Sequence, residues 1–364
     1  MYFGLSEDQI MLQDSVRRFL ETRSELEHVR VYAEGDDALA GQLHAGLMDL
    51  GVPLILIPEA QGGLGMGVLE AALIQEMLGR FVTPSAFTPA YGMAVAGLNV
   101  GANSDQRNVW LGRIAGGDVV MGVGVTEAVG AREGAGLTLS ANGVSGAVSG
   151  RASFVIGAET ATHFLLVAGD TLVIVDRGAD GVVETALTTI DKTRKTIMLD
   201  LENVACDTLD GAAQLAVETM VNVGRVLLAA DSFGAAEMML EKAVGYAKDR
   251  EQFNRPIASF QAVKHMCADM AARLEPCRSL LWYAAYAQDN VPEEGPLMSC
   301  MAKSHISEVG KFVARTSTEV HGGMGFTDLM GLHYWFKRIG FNRQLLGGPE
   351  KTRHDAAVLQ GFTK

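Results

Sequence analysis

The sequence has few basic residues for its length. Its 364 residues include 30 Lys and Arg against 43 Asp and Glu, which gives a formal net charge of -13. A negative charge of this size disfavours binding to the phosphates of nucleic acids and to anionic membrane surfaces. We therefore expect neither nucleic acid nor a membrane as a partner.

Cysteine is equally scarce. The cysteines are Cys206, Cys267, Cys277 and Cys300. They form no CxxC pair, and no histidine stands at zinc-ligand spacing from them. The pattern therefore favours reduced, mostly structural thiols over a disulfide framework or a zinc site.

Long apolar runs are missing too. The longest uncharged stretch, residues 81–104, contains two prolines and three glycines. It predicts buried connecting structure and not a membrane-spanning helix. Residues 1–10 have neither the basic region nor the apolar core of a signal peptide, so we expect a cytoplasmic protein.

The composition that is present is that of a globular protein. Hydrophobic residues make up 48% and charged residues 20% of the chain. The 42 glycines follow no G-X-Y period, which excludes a collagen-like protein. The length is sufficient for two or more domains with a large core.

The periodicity of the apolar residues changes twice along the chain. Residues 1–118 form the first domain, with helical spacing from residue 5 to about residue 80 that begins at an S-x-x-Q capping box formed by Ser6 and Gln9. Residues 119–210 contain short β-rich runs separated by Gly, Asp and Asn, which predicts an antiparallel sheet or a small barrel. Residues 211–364 return to long helical segments that suit a bundle. The sequence thus predicts a mixed α and β fold with a helical N-terminal domain, a β middle domain and a C-terminal helix bundle.

One specific motif stands where two of the long C-terminal helices meet. Residues 250–261 read REQFNRPIASFQ. This segment resembles the R-x-x-F-G-x-x-I-x-x-F-Q turn of the acyl-CoA dehydrogenase family. Further segments resemble the family in the same order, and they are the opening helix at 5–20, PEAQGGLG at 58–65, DKTR at 191–194 and HGGMGFT at 321–327. The resemblance is collinear over essentially the whole chain.

The resemblance implies a fold and a cofactor. Members of the family have a helical N-terminal domain, a β-barrel-like middle domain and a C-terminal four-helix bundle. They bind FAD partly across a subunit interface. In that arrangement the R-x-x-F turn and a Q-x-x-G-G loop of one subunit hold the ADP half of the flavin that is seated in its neighbour.

By this resemblance, seven residues are candidates for cofactor binding. They are Arg250, Gln252, Phe253, Gln261, Glu319, Gly322 and Gly323. Arg250 offers a planar fork of donors for a pyrophosphate, Phe253 an apolar wall, and Gln261 a neutral hydrogen-bonding group. Gly322 and Gly323 leave room for a close approach of the backbone to the adenosine.

A simpler interpretation stays open for each feature alone. An arginine is common in a surface turn between helices, and a Gly-rich segment is common at the end of a helix. Glu319 also departs from the family, which has Gln at this position. A carboxylate near phosphates is unfavourable unless it faces a ribose hydroxyl or a cation.

The segments that hold the flavin ring in the family are degraded here. Residues 126–133 read TEAVGARE, where the family has T-E-P-x-A-G-S-D, so Arg132 replaces the Ser. Residues 151–157 read RASFVIG, where the family has K-x-W-I-T. Phe154 is the candidate to replace the Trp, but no hydroxyl follows at the Thr position. The chain has kept the half-site that reaches into a neighbour and lost much of its own.

Neither of the family's base positions carries a carboxylate. Acyl-CoA α,β-dehydrogenation needs a carboxylate to remove the α-proton while a hydride passes to the flavin. By ungapped counting from His321, the usual Glu falls on Leu346. The alternative Glu, which precedes an Arg on a bundle helix, falls on Gly224. The nearest substitute is Glu350, which is also the type of acidic residue favoured at the start of a helix.

These features resemble the non-catalytic subunit of a heteromeric (α2β2) acyl-CoA dehydrogenase of bacterial steroid side-chain degradation. Such a complex oxidises a CoA thioester to its trans-2-enoyl form and passes electrons to an electron-transferring flavoprotein. Its homologous catalytic subunit supplies the base and the flavin seat. Two alternatives stay open, namely an active homotetramer with an unrecognised base such as Glu350, and a flavin-free scaffold.

Overall fold

The structure is divided into two compact units. It is a computed structural model that describes residues 4–130, 133–142 and 145–363. Unit 1 consists of Met1–Ala33, Ala72–Thr83 and Arg225–Lys364. Unit 2 consists of Glu34–Ala71 and Pro84–Gly224. Each unit is therefore assembled from segments that are distant in sequence.

Helices dominate the described chain before the first strand. They are α1 (Glu7–Arg23), α2 (Leu26–Ala33), α3 (Ala38–Asp49), α4 (Val68–Arg80), α5 (Ala94–Gly101) and α6 (Ser104–Ala115). The predicted capping box is confirmed, since the Gln9 amide donates to Ser6 Oγ at 3.2 Å and the Ser6 amide donates to Gln9 Oε1 at 2.8 Å. The apolar stretch after α4 forms a buried π-helix at Phe87–Met93 and then α5. Within the described residues, no helix is long and apolar enough to cross a membrane.

The middle of the chain forms a barrel-like sheet. Its strands are β1 (Met121–Gly124), β2 (Gly136–Asn142), β3 (Ser145–Ile156), β4 (His163–Ala168), β5 (Thr171–Asp176), β6 (Val182–Ala186) and β7 (Thr196–Thr208). The strand order is β2-β3-β1-β4-β5-β7-β6, and an additional pairing of β3 with β7 closes a ring through β1, β4 and β5. Strands β2 and β6 lie outside this ring. The predicted β module is therefore present as a closed barrel.

One strand pair differs from the predicted antiparallel pattern. Strands β1 and β4 are parallel, with Met121 opposite His163, whereas the other pairings of the sheet are antiparallel. The strands β4 and β5 are nearly continuous apolar runs, and alternate side chains such as Phe164, Leu166 and Val175 form the barrel core while the residues between them are buried as well. Alternation sets which face a residue takes but not the direction of the neighbouring strand, so the parallel pair was not predictable from it.

The C-terminal part consists of long helices, as predicted. Its elements are α7 (Ala213–Asp249), β8 (Glu251–Gln252), β9 (Arg255–Pro256), α8 (Gln261–Asn290), α9 (Gly295–His321), α10 (Leu332–Gln344) and α11 (Pro349–Leu359). All four cysteines are free thiols, and three of them are buried.

Two glycines allow α4 and α7 to cross in direct backbone contact within unit 1. A Cβ at Gly79 would lie 2.1 Å from the carbonyl oxygen of Asp231. A Cβ at Gly234 would lie 1.9 Å from the carbonyl oxygen of Glu76. No larger residue fits either position without moving a helix.

A buried polar network links the same two helices to α10. The Asp231 carboxylate accepts from Arg338 Nη1 at 3.2 Å, from Gln75 Nε2 at 2.6 Å and from Asn342 Nδ2 at 2.6 Å. Arg338 also donates to the backbone oxygen of Thr83 at 3.2 Å. Because the charges are buried, they are tolerable only with this set of partners.

Candidate functional site

The turn between α7 and α8 is a strained β-hairpin that displays a phenylalanine. Phe253 and Asn254 form its two-residue tip with φ of +54° and +59°. Such a pair of left-handed residues gives a type I′ turn, which normally favours Asn and Gly. Phe253 is nevertheless 85% exposed at this tip. A bulky residue held in this conformation is costly and is typical of a functional position.

Contacts with the ring of Phe260 hold the hairpin against the start of α8. Phe253 meets the edge of Phe260 at a centroid distance of 6.1 Å. The guanidinium of Arg255 lies 4.0 Å from the centroid of the same Phe260 ring. The Ile257 amide donates to the backbone oxygen of Arg250 at 2.8 Å and closes the base of the turn. Arg255 thus stabilises the turn through its contact with the Phe260 ring.

Arg250 and Gln261 are the polar groups that the turn leaves available. Both residues are exposed, and no hydrogen bond or ion pair of either side chain exists within the described ranges. Gln252 is exposed as well, and its Nε2 donates to the backbone oxygen of Glu251 at 2.7 Å. We refer to residues 250–261 as the first arm. Its unpaired polar groups are the guanidinium of Arg250 and the side-chain amide of Gln261.

A second arm, residues 319–323, lies at the end of α9. Gly322 ends this helix with φ of +59°, and its amide donates to the backbone oxygen of Glu319. Apart from their neighbours in the chain, no atom of the described residues lies within 4 Å of a Cβ placed at Gly322 or Gly323, so their backbone faces open space. Glu319 pairs with Arg315 at 3.1 Å on the same helix. The Glu319 carboxylate therefore faces the cation of Arg315. Such a partner reduces the repulsion between a carboxylate and nearby phosphates.

A stacked ring pair brings the two arms together. The His321 ring lies 4.6 Å from the Tyr246 ring, with an angle of 27° between the planes. Tyr246 is one helical turn before Arg250, whose amide donates to the Tyr246 backbone oxygen at 2.8 Å. His321 directly precedes Gly322. The seven candidate residues thus lie on the turn that joins α7 to α8 and at the end of α9, all within unit 1.

The first position predicted for the base is a buried leucine, Leu346, in a loop whose backbone oxygens are bound by two basic side chains. Leu346 is 2% exposed and has a left-handed φ of +56°. Arg225 Nε donates to its backbone oxygen at 3.0 Å. Lys303 Nζ donates to the backbone oxygens of Gly347 at 3.2 Å and Arg343 at 3.1 Å. The loop keeps a strained shape although it carries no carboxylate.

Lys303 and Arg225 were not predicted from the sequence as loop-holding residues. Lys303 is 1% exposed, and burial, with Arg225 and Arg343 nearby, lowers its pKa to about 7. The available signal was helical spacing, since Lys303 shares a face of α9 with Ser299, Ser307 and other small buried residues. Spacing indicates that such a lysine is buried but not which carbonyls it binds.

The second base position offers no acid either. Gly224 is a buried residue in the middle of α7, directly before Arg225. Arg225 Nη2 pairs with Asp355 at 2.8 Å, and its Nη1 contacts Cys300 Sγ at 3.1 Å. Every nitrogen of this guanidinium is therefore engaged in structure.

Glu350 has the opposite properties from those of a base in a dry pocket. It lies in the first turn of α11, its side chain is 77% exposed, and it pairs with Arg343 at 3.4 Å. A hydrogen bond to its own backbone and the charge of Arg343 lower its pKa. A carboxylate with a lowered pKa is a weak proton acceptor.

Unit 2 contains a cavity of about 670 Å³ beside the degraded flavin segments. Its wall includes Glu127, Ala128, Arg151 and Ala152. The backbone N–H of Ser153 donates to Glu127 Oε1 at 2.7 Å, which joins the two segments. Arg132, the replacement for the family's Ser, lies outside the described residues.

The described groups fit one half of FAD better than the other. The two arms provide a free cationic fork, a free amide and open glycine backbone, which suit a pyrophosphate and an adenosine. On the flavin side, Val155 and Ile156 follow Phe154 in β3, so no hydroxyl stands at the position where the family has its Thr. Among the described residues, no group of three or more His, Cys, Asp and Glu could hold a metal ion.

Comparison with known proteins agrees with this architecture. The acyl-CoA dehydrogenase N-terminal domain matches residues 6–118, and the C-terminal domain of that family matches residues 213–357. The acyl-CoA dehydrogenase IpdE2 of Mycolicibacterium smegmatis is 28% identical over 348 residues, which cover 95% of this chain and 97% of the relative.

Solved structures match over the whole length as well. A variant of the Tcur3481-Tcur3483 steroid ACAD superimposes with a TM-score of 0.87 at 28% identity and covers 98% of both chains. The ChsE4-ChsE5 complex from Mycobacterium tuberculosis gives a TM-score of 0.89 at 25% identity and covers 100% of both chains. With both helical domains matched and these relatives aligned from end to end, the chain belongs to the acyl-CoA dehydrogenase family.

Proposed function

We propose that this chain is the non-catalytic subunit of a heteromeric (α2β2) flavin-dependent acyl-CoA dehydrogenase. One observation carries the proposal. The two arms present free cofactor-binding groups at the surface of unit 1, while both base positions, Leu346 and Gly224, lack a carboxylate. A subunit with these properties completes the cofactor site of another chain and cannot perform the proton transfer itself.

The two arms are suited to the ADP half of an FAD seated in the partner. Arg250 can donate two parallel hydrogen bonds to the pyrophosphate, and such charge-assisted pairs are stronger than neutral ones. Gln261 adds a neutral donor and acceptor, and Phe253 and Gln252 stand beside it on the same turn. The open backbone at Gly322 and Gly323 allows the adenosine to approach. When bound, FAD supplies the acceptor for the hydride.

The catalytic carboxylate has to come from the partner. Removal of the α-proton of a CoA thioester requires a base placed in a dry pocket. Leucine and glycine cannot accept a proton, and Glu350 is exposed and paired with Arg343. We therefore assign the base and the complete flavin seat to a homologous catalytic subunit.

The similar proteins favour a steroid-derived substrate. The Tcur3481-Tcur3483 structure is described as a steroid ACAD, and ChsE4-ChsE5 is described as a complex. We infer that the holoenzyme oxidises a CoA thioester, such as a steroid side-chain acyl-CoA, to its trans-2-enoyl form. Its electrons pass to an electron-transferring flavoprotein.

Purification alone and with the partner tests the proposal. A tagged copy of this chain would be isolated by itself and co-expressed with the homologous chain that co-purifies with it from its source cells. FAD per chain is measured from flavin absorbance after denaturation. We expect little FAD and no turnover for the lone chain, and FAD with turnover for the complex.

The other outcomes identify the alternatives. Full FAD content and robust acyl-CoA oxidation by the lone chain would show an active homomer. A partner that binds FAD equally well without this chain would show a flavin-free scaffold.

A further inference from the structure

His321 is a buried histidine whose ring cannot turn freely. It is the last residue of α9 and is 2% exposed. Its Nδ1 lies 2.7 Å from the backbone oxygen of Ser317, so Nδ1 carries a proton and donates it to that carbonyl. One face of the ring stacks on Tyr246 at 4.6 Å. The hydrogen bond and the stack together fix both the tautomer and the plane of the ring.

The environment of the second ring nitrogen favours the neutral form. His321 Nε2 is buried and has no hydrogen-bond partner among the described residues. Burial, together with the charge of Lys242 on α7, lowers the pKa of His321. Burial and the charge of Arg30 on α2 lower the pKa of Lys242 as well. A proton on Nε2 would therefore add a buried cation without an acceptor beside a second cation.

We propose that neutral His321 is a positioning residue that sets the spacing between the two arms of the cofactor clamp. It precedes Gly322 on the second arm, and its partner Tyr246 is one turn before Arg250 on the first arm. A shift of either ring therefore moves the backbone of its arm. His321 itself is buried and does not need to touch the cofactor. This inference rests on the proposed function of the two arms.

Amide hydrogen exchange of the lone full-length chain tests the positioning directly. The amides of residues 322 and 323 belong to the second arm, and those of residues 324–326 lie in the short 3-10 helix Gly322–Phe326 that continues it, so their exchange reports on this arm and requires neither FAD nor a partner. We expect His321→Ala to accelerate their exchange roughly 3- to 10-fold, the range that loss of one aromatic pair predicts. His321→Phe retains an aromatic ring and should stay within about twofold of wild type at neutral pH. His305→Ala, an exposed histidine on the same helix, is the matched control and should change nothing.

A pH series separates positioning from simple packing. Because the pKa of His321 is lowered, protection of residues 322–326 in the wild type, after division by intrinsic exchange rates, should persist through the ordinary histidine range near pH 6.5 and fall only at lower pH, where the ring acquires a proton. His321→Phe has no proton site and should show no such loss. Identical pH profiles for the wild type and His321→Phe would overturn the inference. So would unchanged exchange in a folded His321→Ala variant.

FAD content of the co-expressed complex distinguishes this inference from the proposed function. We expect both Arg250→Ala and His321→Ala to lower FAD per tetramer, and His321→Phe to retain it. If Arg250→Ala lost FAD but His321→Ala did not, only the role of His321 would be wrong. If Arg250→Ala kept its FAD, the proposed clamp itself would be wrong. Should His321→Ala not fold, the exchange profile of His321→Phe decides the question.

Discussion

Arg225 donates a hydrogen bond from Nε to the backbone oxygen of Leu346 at 3.0 Å. Gly224 and Leu346 are the two positions that the resemblance predicts for the base, and Arg225, which directly follows Gly224, thus holds the backbone at Leu346. Lys303 secures the next residue of the loop by donating to the backbone oxygen of Gly347. The buried guanidinium of Arg225 and the buried amine of Lys303 therefore hold the backbone around Leu346, whose left-handed conformation costs a leucine about 1–3 kcal/mol. The loop is thus held in this conformation although Leu346 carries no acid.

Restoring the acid alone should not restore catalysis. We expect Leu346→Glu, in a complex whose partner carries an amide in place of its own base, to leave turnover at background. A positioned base contributes about 10²- to 10⁴-fold, but that factor requires a flavin correctly placed in this chain. Acyl-CoA oxidation is the measurement, and Leu346→Gln is the matched neutral control. Activity in the Glu variant alone would mean that this chain holds a competent flavin.

The order of the elements was predictable because it depends on local patterns. The capping box at Ser6 and Gln9 starts α1, and the apolar spacing after residue 211 gives the long helices. Counting from His321 likewise predicts Leu346 at the base position. These inferences use only neighbours in sequence, where backbone preference and periodicity act.

The contacts that hold the site together were not predictable. The bonds from Arg225 to Leu346 and from Lys303 to Gly347 join residues more than forty positions apart. No spacing rule identifies such pairs, because they form only when the helices pack. The Arg315 and Glu319 pair is different, since its i,i+4 spacing on one helix was visible in the sequence.

Arg250→Ala should release FAD from the complex without disrupting its assembly. The side chain is exposed and unpaired in the described structure, so its removal leaves no buried partner behind. A charge-assisted bidentate contact contributes about 2 to 3 kcal/mol, which is roughly 30- to 150-fold in FAD affinity. FAD content at graded free FAD is the measurement, with subunit ratio from gel filtration as the assembly check. Lys248→Ala, which removes a nearby exposed positive charge, should retain FAD.

The buried pair of Arg338 and Asp231 should control the stability of unit 1. Arg338→Met leaves the Asp231 carboxylate buried with neutral donors such as Gln75 and Asn342. We expect a loss of about 3–5 kcal/mol in the free energy of unfolding. The double variant with Asp231→Asn should recover part of it, because the orphaned charge is gone. Urea unfolding measures both, and a loss below about 1 kcal/mol for Arg338→Met would contradict the assignment.

Glu76 should make the stability of the protein fall as the pH rises. This carboxyl is buried between α4, α7 and α8, where Arg278 lies 3.4 Å from its Oε1 and also pairs with Glu237. Burial, followed by the charge of Glu237, raises the pKa of Glu76 to about 8. The folded protein therefore holds a proton that the unfolded chain, with an ordinary pKa of about 4.5, has released. Its contribution to stability is complete below about pH 4.5 and is lost as the pH rises through about 8.

Glu76→Gln should remove this pH dependence, because the amide mimics the protonated acid and cannot ionise. At about pH 9 the variant should be more stable than the wild type by a few kcal/mol, and the difference should shrink towards about pH 5. Urea unfolding at intervals between these values measures it. Glu275→Gln, a change to an exposed carboxylate that also lies near Arg278, is the matched control and should follow the wild-type curve. A constant difference between Glu76→Gln and wild type at every pH would mean that Glu76 is already ionised in the folded protein.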